Sequence, residues 1–193
     1  MAEIIPEAEF VSRLEEGSPL RLKMGFDPSK PDLHLGHVVG LRKLRQLQDI
    51  GHELVLIVGD WTAQIGDPSG QSDTRTMLGA DEVRENAETY MRQFFRVVDP
   101  AKTRAVYQSE WFGEFSLSDV ISLTSHFTVS QFLHREDFSQ RFASQRPIAI
   151  TELLYPLLQA YDSVAIEADV EFGGTDQLFN LLVGRDLQEK VGQ

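Results

Sequence analysis

Residues 53–70 read E-L-V-L-I-V-G-D-W-T-A-Q-I-G-D-P-S-G. Glu53 to Val58 is a continuous apolar run, the pattern of a strand buried in a parallel sheet. The loop that follows is rich in Gly, Asp and Pro and reads as the connection beyond that strand's carboxyl end. Upstream, His34 to Ile50 carries Leu35, Val38, Leu41, Leu44, Leu47 and Gln48 at helical spacing, with Gly51 as its end. Leu20 to Phe26 alternates Leu20, Leu22, Met24 and Phe26 as a strand, and G-F-D-P-S-K-P-D turns the chain between the two. Before these, Pro6 opens a helix with Phe10, Val11 and Leu14 on its apolar face and Gly17 as its stop.

Downstream, Asp81 reads as the N-cap of a long helix running to about Val98, and Arg104 to Tyr107 as a short strand. Residues 111–150 read as helical and irregular, and Thr151 to Tyr161 as a further helix. Val164 to Phe172 reads as strand-like, and G-G-T-D-Q leads from it into a helix from about Asp176. Strands alternating with helices predict an α/β fold on a parallel sheet. Ligands in such sheets sit beyond the carboxyl ends of the strands. That rule singles out three loops, 25–37, 59–71 and 172–177, and suggests a polar, phosphorylated ligand.

A chain of 193 residues suits one sizeable domain, and with no cysteine it carries no disulfide framework, thiolate nucleophile or Cys-based metal site. Net charge is −12, with −6 in residues 1–99 and −6 in residues 100–193. No basic half or tail exists to hold nucleic acid by charge alone. The basic cluster Arg42, Lys43 and Arg45 reads as a solvated helix face. M-A-E-I-I-P-E-A-E-F lacks the basic flank and apolar core of a signal peptide, and no apolar stretch approaches the roughly 20 residues of a membrane span. The expected address is the cytoplasm, away from membranes.

Four motifs carry chemistry. Asp27-Pro28-Ser29 precedes His34-Leu35-Gly36-His37, which places two histidines one turn apart at a helix N-terminus, where free amides favour anions. Gly36 between them admits a flat ring to the backbone. Two half-buried histidines without a ligand fit the spacing as well; a metal pair lacks a third ligand nearby. Gly66-Asp67-Pro68-Ser69-Gly70 is either a tight turn or an Asp facing a cation. Tyr155, Gln159 and Asp162 share one helix face, either solvated or a pocket wall. Gly173-Gly174-Thr175-Asp176-Gln177 is either a plain helix start or a close approach for a ribose, with Asp176 as acceptor. Neither a Walker loop nor a dinucleotide fingerprint occurs.

Taken in this order, G-F-D-P-S, H-L-G-H, G-D-P-S-G, Y-P-L-L-Q-A-Y-D and G-G-T-D-Q resemble the signatures of the tyrosyl-tRNA synthetases, a class I aminoacyl-tRNA synthetase family. The resemblance runs from about Leu20 to the C-terminus. It implies a Rossmann-like parallel sheet of the H-x-G-H nucleotidyl-transferase kind, flanked by helices, with a helical insertion at 111–150 that meets a second subunit and the tRNA acceptor end. It implies ATP-dependent activation of L-tyrosine and transfer to tRNA(Tyr). His34 and Ser29 match positions at the pyrophosphate-side phosphates. Gly25, Asp27, Gly36 and His37 match positions around the adenosine, Gly174 and Asp176 the ribose contacts. Gln177 matches a contact to the tyrosine carboxylate and adenylate, and with His34, His37 and Ser29 makes up the catalytic set. Asp67, Tyr155 and Gln159 match the cradle of the substrate ammonium, and Asp162 the acceptor of its phenol hydroxyl. ATP is implied as a substrate accompanied by Mg2+, with no metal held by the protein, and the family's assembly is a homodimer.

Lys23 stands where many relatives place a Tyr that contacts the phenol, Met24 where some have Cys, and Gln71, with Arg75 beyond it, where many have Lys. The family's second, Lys-rich ATP loop has no counterpart among the five lysines, nor does the anticodon-binding part. The expectation is that residues 1–193 are the catalytic domain, incomplete at the C-terminus and doubtful in full activity alone. A tyrosine- or AMP-binding paralogue without catalysis, a tryptophanyl relative and a nucleotidyl transferase acting on another acceptor are the competing readings.

Overall fold

The computed structural model describes residues 3–69 and 78–193. Among them four strands form one sheet: β1 Arg21–Phe26, β2 Glu53–Val58, β3 Thr103–Tyr107 and β4 Val170–Phe172, in the order β3-β2-β1-β4. Every pairing is parallel, with Phe26 opposite Val58, Val58 opposite Tyr107 and Met24 opposite Phe172. All four carboxyl ends therefore share one edge. The helices in chain order are α1 Glu7–Glu15, α2 Leu35–Asp49, α3 Thr62–Ile65, α4 Ala80–Phe94, α5 Ser109–Phe112, α6 Leu117–Ser125, α7 Val129–Leu133, α8 Glu136–Ala143, α9 Ile150–Ile166 and α10 Leu178–Lys190. None of them is long and apolar enough to cross a membrane.

The apolar run of β2 is explained by helices on both sides. Leu54 and Leu56 pack with Leu20, Leu22, Met24 and Phe26 against Leu41, Leu44 and Leu47 of α2 and Tyr90 and Phe94 of α4. Val55 and Ile57 point to the other face and pack with Val106 and with Ile166 of α9. Successive side chains alternate between faces, so a strand covered twice has no polar position to spare. Lys23, on β1 among these apolar neighbours, is fully buried on the α9 side.

Several expected boundaries are corrected. Val164 to Phe172 is not one strand: Val164 and Ile166 complete α9, which stops at Glu167 in the left-handed conformation (φ 51°), and only Val170–Phe172 pairs with β1. Two β-branched residues two positions apart in a helix imitate a strand when read locally. Helix α4 begins at Ala80 with Gly79 as its cap, so Asp81 lies in the first turn, where its charge suits the helix dipole, and the helix ends at Phe94, short of Val98. A 3-10 turn, Thr175–Gln177, precedes α10, which starts at Leu178 and not at Asp176. Leu35, assigned to the apolar face of α2, is 84% exposed because the first turn projects past the sheet edge.

Residues 111–150 resolve into short capped helices. Ser116 with Asp119 and Thr128 with Gln131 each form reciprocal cap hydrogen bonds. Their aromatics are mostly spent inside the chain. Phe132 and Phe138 are buried with Leu123 against Leu157 and Ala160 of α9 and Val183 and Leu187 of α10. Phe142, at 65% exposure, is the exception. Arg42 and Lys43 lie on the solvated side of α2, as read, and Arg45 pairs with Asp49.

Candidate active site

In the order β3-β2-β1-β4 the chain builds outward from β1 on one side and returns to its other side with β4. The crevice beyond the β1 and β4 carboxyl ends is thus the point where ligands bind in open α/β sheets. The loops after β1, β2 and β4 supply Asp27, Asp67 and Gln177, and α9 supplies Tyr155 and Asp162.

The histidine pair forms one unit at the start of α2. His34 is the N-cap, with Nδ1 accepting from the Gly36 amide at 3.2 Å, and the His34 amide donates back to His37 Nδ1 at 3.3 Å. The rings stack with centroids 3.9 Å apart. A Cβ on Gly36 would lie 2.9 Å from the His34 ring, so any larger residue would displace that ring from its cap position. Burial against Phe26 and Tyr90, then the neighbouring His34, hold His37 below the usual imidazole range. With both Nδ1 atoms accepting, the hydrogen-bond pattern assigns the proton of each neutral ring to Nε2, leaving two N–H donors at a helix N-terminus.

Asp27 is held from two sides. Tyr155 Oη donates to its Oδ2 at 2.7 Å and Thr62 Oγ1 to its Oδ1 at 2.7 Å. A Cβ on Gly59 would collide with that Oδ1, so the first residue after β2 must be glycine for the carboxylate to lie there. Asp27, assigned by resemblance to the adenosine side, is therefore in direct contact with the expected ammonium cradle. Burial, followed by the charges of Asp27 and Asp67, pushes the Tyr155 phenol well above its ordinary value, which keeps it a donor.

Asp67 accepts from the Ser69 amide at 2.8 Å and from Gln177 Nε2 at 2.6 Å. Gln177 Nε2 also lies 3.2 Å from Asp176 Oδ2. Gly25, Ser29, Gly174 and Asp176 are exposed on the same edge. Gly70, Gln71 and Arg75 lie outside the described residues.

Tyr155 and Asp162 are 5% and 2% exposed, and Gln159 between them is half-buried. The polar stripe of α9 is accordingly buried and not a solvated face. Asp162 Oδ2 accepts from Gln108 Nε2 at 2.8 Å, while its Oδ1 is buried without a hydrogen-bond partner. Burial pushes its carboxyl up to about 7, against the opposing pull of Lys23 and the Gln108 bond.

Sequence reading missed Gln108. Its Oε1 accepts from the Trp61 amide and the Thr62 amide, so its amide nitrogen can only face Asp162. Lys23, a departure from the family pattern in sequence, is anchored in the structure. Its Nζ is bound by Glu171 Oε1 at 2.6 Å, Ser163 Oγ at 2.8 Å and the Gln159 carbonyl at 2.8 Å. That triple engagement ties it beneath α9.

Comparison with known proteins identifies the family. A profile described as tRNA synthetases class I (W and Y) matches residues 15–193. A curated tyrosine–tRNA ligase of Dehalococcoides mccartyi (strain CBDB1) is 65% identical over the whole chain, which covers 49% of that protein. The chain spans about half the length of the curated relatives it matches. A C-terminally truncated mitochondrial tyrosyl-tRNA synthetase from Aspergillus nidulans superposes with a TM-score of 0.84 at 20% identity, over 95% of this chain and 56% of that one. The tyrosyl-tRNA synthetase of Aeropyrum pernix superposes with a TM-score of 0.77 at 25% identity, over 100% and 55%. The histidine cap on α2, the parallel sheet with its crevice at β1 and β4, and a profile match over nearly all its length place this chain in the W and Y family of class I tRNA synthetases.

Proposed function

We propose that this chain is the tyrosine-activating catalytic domain of a tyrosine–tRNA ligase, joining L-tyrosine to ATP as tyrosyl-adenylate for transfer to tRNA(Tyr). The observation that carries this reading is the buried Asp162, whose Oδ1 has no hydrogen-bond partner. A phenol hydroxyl donates to such an acceptor; a phenylalanine ring leaves it unpaired. Asp67, Tyr155 and Gln159 take the ammonium, and Gln177 the carboxylate.

The substrate carboxylate oxygen attacks the α-phosphorus. The new O–P bond forms as the bond to the bridging oxygen breaks, and the electron pair leaves with pyrophosphate. No protein nucleophile is required, so catalysis is alignment and charge stabilisation. His34 and His37 offer Nε2–H groups at the positive end of α2, and Ser29 a hydroxyl from the loop after β1, to the negative charge growing on the leaving group. Gly25, Asp27 and Gly36 border the adenosine, Gly174 and Asp176 the ribose. Magnesium belongs to the ATP substrate as its counter-ion; among the described residues no cluster of three or more His, Asp or Glu is placed to hold a metal. Homodimerisation through 111–150, where Leu117, Ile121, Val129 and Phe142 are more than half exposed, and residence in the cytoplasm belong to the same proposal.

Calorimetric titration with L-tyrosine, L-phenylalanine and L-tryptophan tests the reading. Tyrosine should bind at least roughly 10-fold more tightly than phenylalanine, the cost of leaving a buried acceptor unpaired. Preference for tryptophan would favour the tryptophanyl reading, since an indole N–H can also donate to Asp162. A folded sample that binds none of the three would sink the proposal. Asp67→Asn should weaken L-tyrosine by roughly 10–100-fold, the worth of a charge-assisted hydrogen bond. It should weaken 3-(4-hydroxyphenyl)propionate, which lacks the ammonium, by a smaller factor, because that ligand feels the change only through the Gln177 amide that Asp67 holds. Equal losses for both ligands would remove Asp67 from the ammonium cradle.

A further inference from the structure

Gln177 lies at one end of a side-chain relay whose two termini are chemically fixed. At the far end is Arg135, the N-terminal cap residue of α8, which can only donate. Its Nη1 donates to Asn180 Oδ1 at 3.3 Å. Asn180 Nδ2 then donates to Gln177 Oε1 at 3.0 Å, and Gln177 Nε2 donates to Asp67 Oδ2 at 2.6 Å. An ionised Asp67 can only accept. A donor-only group at one end and an acceptor-only group at the other leave each carboxamide a single satisfied orientation. Turning Gln177 over would set its Oε1 against Asp67 and its NH2 against that of Asn180.

The relay is also mechanically held. Asn180 is 1% exposed and Arg135 9%. Arg135 Nε pairs with Asp137 Oδ1 at 2.8 Å, and its guanidinium lies 5.2 Å and 5.5 Å from the ring centroids of Phe138 and Phe179. Arg135 stands in the 111–150 segment and Gln177 at the carboxyl edge of the sheet, so the relay joins the two parts of the molecule.

We propose that Asn180, itself oriented by Arg135, is a positioning residue that fixes the Gln177 amide as a donor toward the amino-acid carboxylate, and that it ties this donor to the helical segment 111–150. The inference rests on the reading of Gln177 as the carboxylate contact. When the substrate ammonium occupies Asp67, the Gln177 N–H groups already point toward the ligand, and no amide has to rotate.

Asn180→Asp separates positioning from packing. The replacement has the same shape and is a better acceptor for Arg135, so a packing role predicts a folded protein that binds tyrosine as before. Positioning predicts the opposite, because the introduced carboxylate accepts from Gln177 and turns the Gln177 Oε1 toward Asp67. Tyrosine affinity should fall roughly 10–100-fold by calorimetry, while 4-hydroxyphenethylamine, which has no carboxylate, changes by less than about threefold. The ligand-free readout is the pair of Gln177 side-chain amide protons, assigned by their loss in Gln177→Glu; they should shift and exchange faster with solvent in Asn180→Asp. If the unmodified protein binds no tyrosine, the functional reading fails, and the amide signals still decide whether Asn180 orients Gln177. If Asn180→Asp does not fold, Arg135→Leu, which releases the Asn180 amide, should move the same two signals. Unchanged Gln177 signals in a folded variant, or unchanged tyrosine affinity in Asn180→Asp, would overturn the proposal.

Discussion

Replacing Asp162 with Asn is expected to erase most of the preference for tyrosine over phenylalanine, lowering tyrosine affinity roughly 10–100-fold while phenylalanine binding stays within a few-fold. The variant keeps an oxygen for Gln108 but turns the free acceptor into an amide donor. The substitution should also stabilise the protein above neutrality. The folded-state carboxyl titrates near 7, well above the roughly 3.9 of an unfolded aspartate. The folded form therefore binds the proton more tightly, and this group's contribution is fully present below about pH 4 and lost as pH rises toward 7. Asp162→Asn removes that loss, so it should gain roughly 1–3 kcal/mol in urea unfolding at pH 8 and almost nothing at pH 4. Tyrosine affinity of the unmodified chain should rise as pH passes upward through about 7, because the ionised carboxylate is the stronger acceptor. A flat profile, or equal stability effects at both pH values, would contradict the assignment.

Lys23→Met should be the most damaging single change in the sheet. It leaves Glu171, at 13% side-chain exposure, without its cation, and removes the donor to Ser163 Oγ and the Gln159 carbonyl. Breaking one side of a buried pair costs about 3 kcal/mol, whereas removing both charges together is often nearly neutral. Urea unfolding of Lys23→Met, Glu171→Met and the double variant should give a coupling of about 2 kcal/mol or more. Additive losses would mean that the pair contributes little as a pair. Lys23 also opposes the upward push on Asp162. Its removal should move the midpoint of the tyrosine pH profile to higher pH, which connects the sheet's buried lysine to the substrate pocket.

The fold was legible where local pattern and tertiary burial coincide. Glu53–Val58 reads as a strand because both its faces are covered, and α2 because its period matches the one face it buries. Val164 and Ile166 misled because branching at Cβ is a local signal, while membership of α9 is settled by tertiary packing, Ile166 against the sheet and Val164 against the helical cluster. Leu35 misled for a related reason: spacing reports a helix face, not where the sheet beneath it ends. The site followed the same division. His34 with His37 and Gly36 are neighbours in sequence, so their geometry could be read from spacing. Gln108 and Asp162 are 54 residues apart, Tyr155 and Asp27 128, and Lys23 and Glu171 148. No periodicity carries such pairings. Lys23 in particular looked like a lost phenol contact, because a lysine inside an apolar strand announces a partner without naming it.

The most direct test is a crystal structure of this chain grown with L-tyrosine. The phenol oxygen is expected within hydrogen-bond distance of Asp162 Oδ1, the ammonium among Asp67, Tyr155 and Gln159, and the carboxylate on the Gln177 amide. A tyrosine bound with its ring away from Asp162, or its ammonium away from Asp67, would contradict this placement.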